Sequence, residues 1–128
     1  MESSKNAVYD LQYHLVLVTK YRYKVLNGEI RDLLTSIIYD IADIHHIEVI
    51  SLAIQPEHVH IMFNAKPTTY LPSLVRDLKS ISSKQLFKQF GDVLHKKYWK
   101  RTLWNPSYCI CTVSERSTQI VKRYIEAQ

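Results

Sequence analysis

Two apolar runs, IEVISLAI (47–54) and HVHIMFNA (58–65), are separated only by Gln55-Pro56-Glu57, and that short link constrains the chain more than any other feature. Three residues can join two antiparallel strands as a hairpin, whereas a parallel pair needs a crossover of a dozen residues or more. Helical periodicity flanks the hairpin on both sides. Upstream, Ile30, Leu33, Leu34, Ile37, Ile38, Ile41 and Ile44 make one stripe over 29–44, with Glu29 and Asp32 in the first turn, where the helix dipole favours them. Asn27-Gly28 just before it is a turn signal. Downstream, Pro72 opens a second helix at a position where its missing N–H costs nothing. Leu74, Val75, Leu78, Ile81, Leu86, Phe87 and Phe90 supply its apolar side, and Gly91 reads as its end.

Alternation and β-branched residues over 8–19 (VYDLQYHLVLVT) predict a first strand, and YCICTV (108–113) a fourth. SERSTQIVKRYIEAQ (114–128) contains a third helix. The order is β-α-β-β-α-β-α. Its first six elements are those of the α+β, ferredoxin-like (RRM-like) split βαβ arrangement: a four-stranded antiparallel sheet with two helices on one face. With 128 residues, 46% of them apolar, the chain can build one core, so a single domain over 1–128 is expected.

The charge of +5, from 17 Lys+Arg against 12 Asp+Glu, favours an anionic partner. Nine tyrosines and two tryptophans are interleaved with the bases, a pattern that can serve base stacking, although core or half-buried strand positions are the more ordinary reading for most of them. Cys109 and Cys111 alternate on a strand, so they lie side by side on one face. Such neighbours rarely bridge, and no further cysteine completes a four-ligand zinc site. Buried, reduced thiols in a cytoplasmic protein are the expectation. No secretion signal or membrane-length apolar run is read in the chain, and no Gly-rich phosphate loop, so no nucleotide cofactor is expected.

Along the 58–65 strand, Val59, Ile61 and Phe63 point to one side and His58, His60 and Met62 to the other. The apolar set belongs under the two helices. The histidines therefore lie on the second face, close enough together to bind one ion. Glu57 alternates to the wrong side and serves as a third ligand only where the strand breaks. In the last helix Ile120, Val121, Tyr124 and Ile125 form an apolar stripe with Gln128 in its middle. An amide buried there needs a partner, which a metal or a phosphate oxygen would supply. Taken singly, an HxH strand also fits two hydrogen-bonded or surface histidines, Tyr124 a core aromatic, and Gln128 a frayed end. The four polar groups gain meaning because they can share one sheet face.

The stretches YHLVLVTKYRYKVL (13–26), QPEHVHIMF (55–63), LVRDLKSISSKQLFKQF (74–90), LWNPSYCICTV (103–113) and IVKRYIEAQ (120–128) resemble, in order, the single-tyrosine HUH transposases of small insertion sequences that move as single-stranded DNA (IS200-like transposases). Pro106-Ser107 stands where many members have glycine. The resemblance implies that Tyr124 is the nucleophile and that His58, His60 and Gln128 bind the metal, Mg2+ or Mn2+. It implies homodimers whose sheets join edge to edge, with the tyrosine helix of one protomer completing the histidine pair of the other. It also implies cleavage and rejoining of insertion-sequence ends after subterminal DNA hairpins are bound, through a 5′-phosphotyrosine. A cation at such a site acts as a Lewis acid on the scissile phosphate.

Two basic groups suit DNA contact. Arg76, Lys79, Ser80 and Ser83 share the polar side of the second helix, and Lys96, Lys97, Lys100 and Arg101 surround Tyr98 and Trp99; phosphate contacts plus stacking fit a hairpin with single-stranded flanks. His14, His45, His46 and His95 are not ligand candidates, and His45-His46 can cap the C-terminal end of the first helix. The alternatives are a domesticated relative nicking chromosomal repeat hairpins, a non-catalytic nucleic-acid-binding ferredoxin-like module, and a zinc hydrolase. The common RNA-binding strand signature is missing for the module, and no third His or carboxylate is well placed for the hydrolase.

Overall fold

The computed structural model describes residues 11–128 in full and, of the first ten, the backbone of 2–4 and 7–9. The elements are β1 (Glu2–Ser4), β2 (Ala7–Tyr9), β3 (Leu11–Val18), α1 (Gly28–Ile44), β4 (Glu48–Gln55), β5 (His58–Ala65), α2 (Leu71–Leu94), β6 (Cys109–Thr112) and α3 (Ser117–Ala127). The short link works as its length requires: β4 and β5 pair antiparallel and close on Gln55 opposite His58. β3 lies on the other side of β5 and β6 beyond it, giving the order β4-β5-β3-β6. This is the expected α+β, ferredoxin-like sheet.

Register decides which side chains share a face. Leu15 pairs with Ile61 and Leu17 with Val59, and these rows lie in the main core with Ile30, Leu34, Ile37, Ile38 and Ile41 of α1 and Leu74, Leu78, Leu86 and Phe87 of α2. The intervening residues Val16 and Val18 face the other way. They form a smaller cluster with Cys109 and Val121, against which Cys111, Tyr124 and Ile125 pack. α3 thus covers part of the second face, the face of the histidines. Both cysteines are free thiols; Cys109 is buried as expected, whereas Cys111 is only half-buried.

α1 starts where the turn signal stands. Gly28 has φ +54°, a left-handed conformation that a side chain would strain, and Asn27 Nδ2 donates to the Lys24 carbonyl at 3.0 Å.

Several boundaries differ from expectation. The first strand was expected over 8–19. It runs from Leu11 to Val18, while β2 pairs with β1 in a separate two-stranded ladder; position 10 lies outside the described residues. α2 does not end at Gly91. Its dihedrals break at Phe90 (φ −123°, ψ 30°) and the helix resumes to Leu94, whose fully buried side chain anchors the extra turn in the core. Ile44 and Ile120, expected on apolar stripes, are exposed. Ile44 is the last residue of α1 and Ile120 turns away from the sheet.

Candidate active site and basic groove

The pleat of β5 carries His58 and His60 on the second face, and β3 adds an unexpected third imidazole. Val16 pairs with His60, so His14 is the diagonal neighbour on the same face. His14 Nδ1 and His60 Nε2 share a hydrogen at 2.8 Å, with ring centroids 5.0 Å apart. Burial lowers the pKa of both. For His60 the neighbouring His14 and His58 lower it further. At neutral pH this favours the uncharged form of both rings, the form that metal ligation requires. Setting His14 aside as a ligand candidate overlooked its place at the site. The signal was present, because Leu15 and Leu17 belong to the core face and His14 must point away from it.

His58 has its own partner. Its Nδ1 lies 2.9 Å from Glu57 Oε1. The expectation that Glu57 sits on the wrong side is corrected by the break it left open, since β5 begins at His58 and Glu57 belongs to the turn. Among the described residues no group of three or more His, Cys, Asp and Glu is placed to hold an ion by itself. The donor chemistry nevertheless fits a divalent cation: two imidazoles on one face, with an amide oxygen as the expected third donor.

Tyr124 and Gln128 are brought together, as their spacing requires, but at Ser107 rather than at the histidines. Ser107 Oγ is 2.7 Å from the Tyr124 hydroxyl and donates to Gln128 Oε1 at 3.3 Å. Gln128 Nε2 donates to the Tyr124 carbonyl at 3.1 Å. Ser107 precedes β6, so this cluster is separated from His58 by β3. Burial pushes the Tyr124 phenol above its ordinary value; the Ser107 hydrogen bond pulls it partly back, and Cys109 adds a smaller rise. The neighbouring side of α3 faces the imidazoles. Thr118, Val121, Lys122, Ile125 and Glu126 line a cavity of about 330 Å³ with His14 and His60.

His45 and His95 are accounted for elsewhere. His45 caps α1 and its Nε2 meets Asp77 Oδ2 of α2 at 2.7 Å, while His95 Nδ1 lies 3.2 Å from the Tyr98 carbonyl.

A groove of about 720 Å³ runs between α2 and the 101–108 segment, with Arg76, Lys79, Ser80, Ser83 and Arg101 in its walls. Trp104 closes its base, nearly fully buried, with its indole N–H donating to Ser82 Oγ at 2.8 Å. Lys79 also staples the walls together: its ammonium donates to the Pro106 carbonyl at 3.0 Å, and burial lowers its pKa. The remaining expected contacts divide. Trp99 is 94% exposed and free to stack, and Lys96, Lys97 and Lys100 are exposed but do not line the groove. Tyr98 is corrected to a core residue. Its ring is 2% exposed, its hydroxyl donates to the Lys20 carbonyl at 2.9 Å, and burial pushes its pKa up to about 12. No face of that ring is open to a base.

Among the described residues no helix is long and apolar enough to cross a membrane. The family model for IS200-like transposases matches residues 7–128. The ISDra2 transposase TnpA of Deinococcus radiodurans is 42% identical over 128 residues, covering 100% of this chain and 91% of the relative. The transposase for insertion sequence element IS200 of Salmonella typhimurium is 30% identical over 120 residues, covering 94% of this chain and 78% of the relative. A crystal structure of a Deinococcus radiodurans protein assigned as a transposase superposes with a TM-score of 0.90 at 40% identity, over 100% of this chain and 98% of the other. A REP-associated tyrosine transposase bound to a REP hairpin shares the fold, with a TM-score of 0.61 at 14% identity over 95% and 68% of the two chains. On a match that runs nearly end to end, the chain belongs to the IS200-like transposase family.

Proposed function

We propose that the protein is a single-domain, metal-dependent transposase that cuts and rejoins the ends of an insertion sequence as single-stranded DNA, with Tyr124 as nucleophile. The observation that supports this most is that α3, which carries Tyr124 and Gln128, lies on the sheet face from which His58 and His60 project.

In this reading His58, His60 and Gln128 hold one Mg2+ or Mn2+, with manganese the more comfortable ion for nitrogen donors. When bound, the cation polarises the scissile phosphate and offsets the charge that builds during displacement. The Tyr124 oxygen attacks phosphorus, the bond from phosphorus to O3′ breaks, and the phenolic proton ends on the departing 3′ oxygen. The products are a 5′-phosphotyrosine and a free 3′-hydroxyl. The covalent link conserves the bond energy, so a second 3′-hydroxyl can reverse the step without a nucleotide cofactor. Ser107 holds Tyr124 and Gln128 across β3 from His58, so catalysis requires α3 to re-seat. It moves either over its own histidines or over those of a second protomer in a homodimer.

The α2 groove is the proposed hairpin site, with Arg76 and Arg101 on phosphates and Trp99 stacking beyond it. The Arg76→Gln/Arg101→Gln pair should weaken hairpin binding whatever the hairpin sequence. It should also flatten the log–log dependence of affinity on salt by ~0.9 per lost phosphate contact, about 1.8 in all. Titrations from 50 to 300 mM salt read this directly, and an unchanged slope places the hairpin elsewhere.

The test of the function itself offers the chain hairpin-bearing single-stranded DNA from the flanks of its own gene, with Mn2+ or with a chelator. The expected result is a denaturation-resistant protein–DNA adduct with the metal alone. Hairpin binding with no adduct under either condition would leave a binding module and end the transposase reading.

A further inference from the structure

The turn that joins β4 to β5 is fastened at two consecutive carbonyls. Pro56 O accepts from Leu26 N at 2.9 Å, and Glu57 O accepts from Thr19 N at 2.9 Å and again from Thr19 Oγ1 at 3.2 Å. Thr19 is fully buried, so the backbone of Glu57 is fixed to the end of β3. From that anchor its carboxylate turns alongside His58 instead of alternating away, reaching Nδ1 at 2.9 Å, with the two side chains only 15% (His58) and 18% (Glu57) exposed. An ionised carboxylate can only accept a hydrogen bond. The contact therefore requires the hydrogen on Nδ1 and leaves the lone pair on Nε2, the nitrogen free to meet a cation.

We infer that Glu57 is a positioning residue for the metal site: it sets the tautomer and ring orientation of His58 from the turn rather than binding the ion. This rests on the metal-site reading proposed above. Carboxylates behind ligating histidines act in this way, and their loss typically weakens metal binding 10- to 100-fold. Among the described residues His60 has no such carboxylate; its ring partner is His14. The two candidate ligands are thus held by different devices, one a carboxylate and one an imidazole.

The test uses the full chain labelled with 15N-histidine, together with free-Mn2+ titrations read by electron paramagnetic resonance. Wild type should show His58 as the Nδ1–H tautomer in long-range 1H–15N correlations. Glu57→Ala should lose that tautomer preference and bind Mn2+ about 10- to 100-fold more weakly. Glu57→Gln keeps an oxygen able to accept from Nδ1, so it should retain the tautomer and stay within about threefold of wild type. The backbone bonds to Thr19 survive both changes, and hairpin affinity should not move in either. If Glu57→Ala keeps both the tautomer and the Mn2+ affinity, the inference is overturned. It is overturned equally if Glu57→Gln loses as much affinity as Glu57→Ala, because charge or direct ligation would then outweigh positioning. A wild-type chain that binds no Mn2+ at all would instead defeat the metal-site reading itself.

Discussion

Tyr124→Phe should bind the hairpin like wild type and form no covalent adduct, with strand cleavage reduced by at least an order of 10^4-fold, the scale on which removing a nucleophile acts. The substitution is a clean probe because it leaves the ring. Tyr124 packs through that ring against the cluster of Val16, Val18, Cys109 and Val121, and phenylalanine fills the same space. What is lost from the fold is the hydrogen bond to Ser107 Oγ, worth about 0.5–1.5 kcal/mol at most because the exposed Ser107 hydroxyl left behind can turn to solvent. A large loss of cleavage with a nearly unchanged melting temperature therefore reads as chemistry. The same position explains why the tyrosine needs help. A phenol has an ordinary pKa near ~10, and burial raises this one further, so the docked hydroxyl is neutral at pH 7. Adduct formation by Tyr124→Phe would move the nucleophile to another residue.

The parts of the fold that periodicity governs are legible in the sequence. Strand alternation separated Val59, Ile61 and Phe63 from His58 and His60, and a 3.6-residue period separated the buried from the open side of α1. The length of the Gln55–Glu57 link decided the hairpin. What escaped was set by tertiary register and by breaks in the period. Alternation with Leu15 and Leu17 puts His14 on the face of the histidines, but its contact with His60 depends on Val16 pairing with His60, a cross-strand register that no local pattern encodes. Glu57 was assigned to the wrong face because alternation was carried one residue past the start of β5. Tyr98 looked like a stacking platform among lysines, yet its ring packs beside Tyr23 and Phe87, since a basic connector can still fold one aromatic inward. Ser107 gave no signal at all. Its role comes from the close of the 105–108 segment on α3, where it also bonds Asn105 Oδ1 through both N–H and hydroxyl.

The second large effect concerns His60. His60→Ala should abolish metal-dependent cleavage while leaving hairpin affinity largely intact, since the proposed groove lies on α2 and the 101–108 segment. The substitution also removes the partner of His14 Nδ1 at a buried position, which costs about 1–3 kcal/mol, so lost activity alone would be ambiguous. His14→Ala supplies the matched control. It breaks the same hydrogen bond from the other side at a similar cost, yet leaves both residues of the HVH pair in place. Cleavage should then survive in His14→Ala within about tenfold of wild type, the lower end of what an outer-sphere partner contributes, and vanish in His60→Ala. Equal cleavage in chelator and in Mn2+ would defeat the metal proposal for both histidines. Equal loss in the two variants, at matched melting temperatures, would point elsewhere. His14 would then be a ligand, the third donor would be an imidazole from β3, and Gln128 would no longer be needed to complete the set.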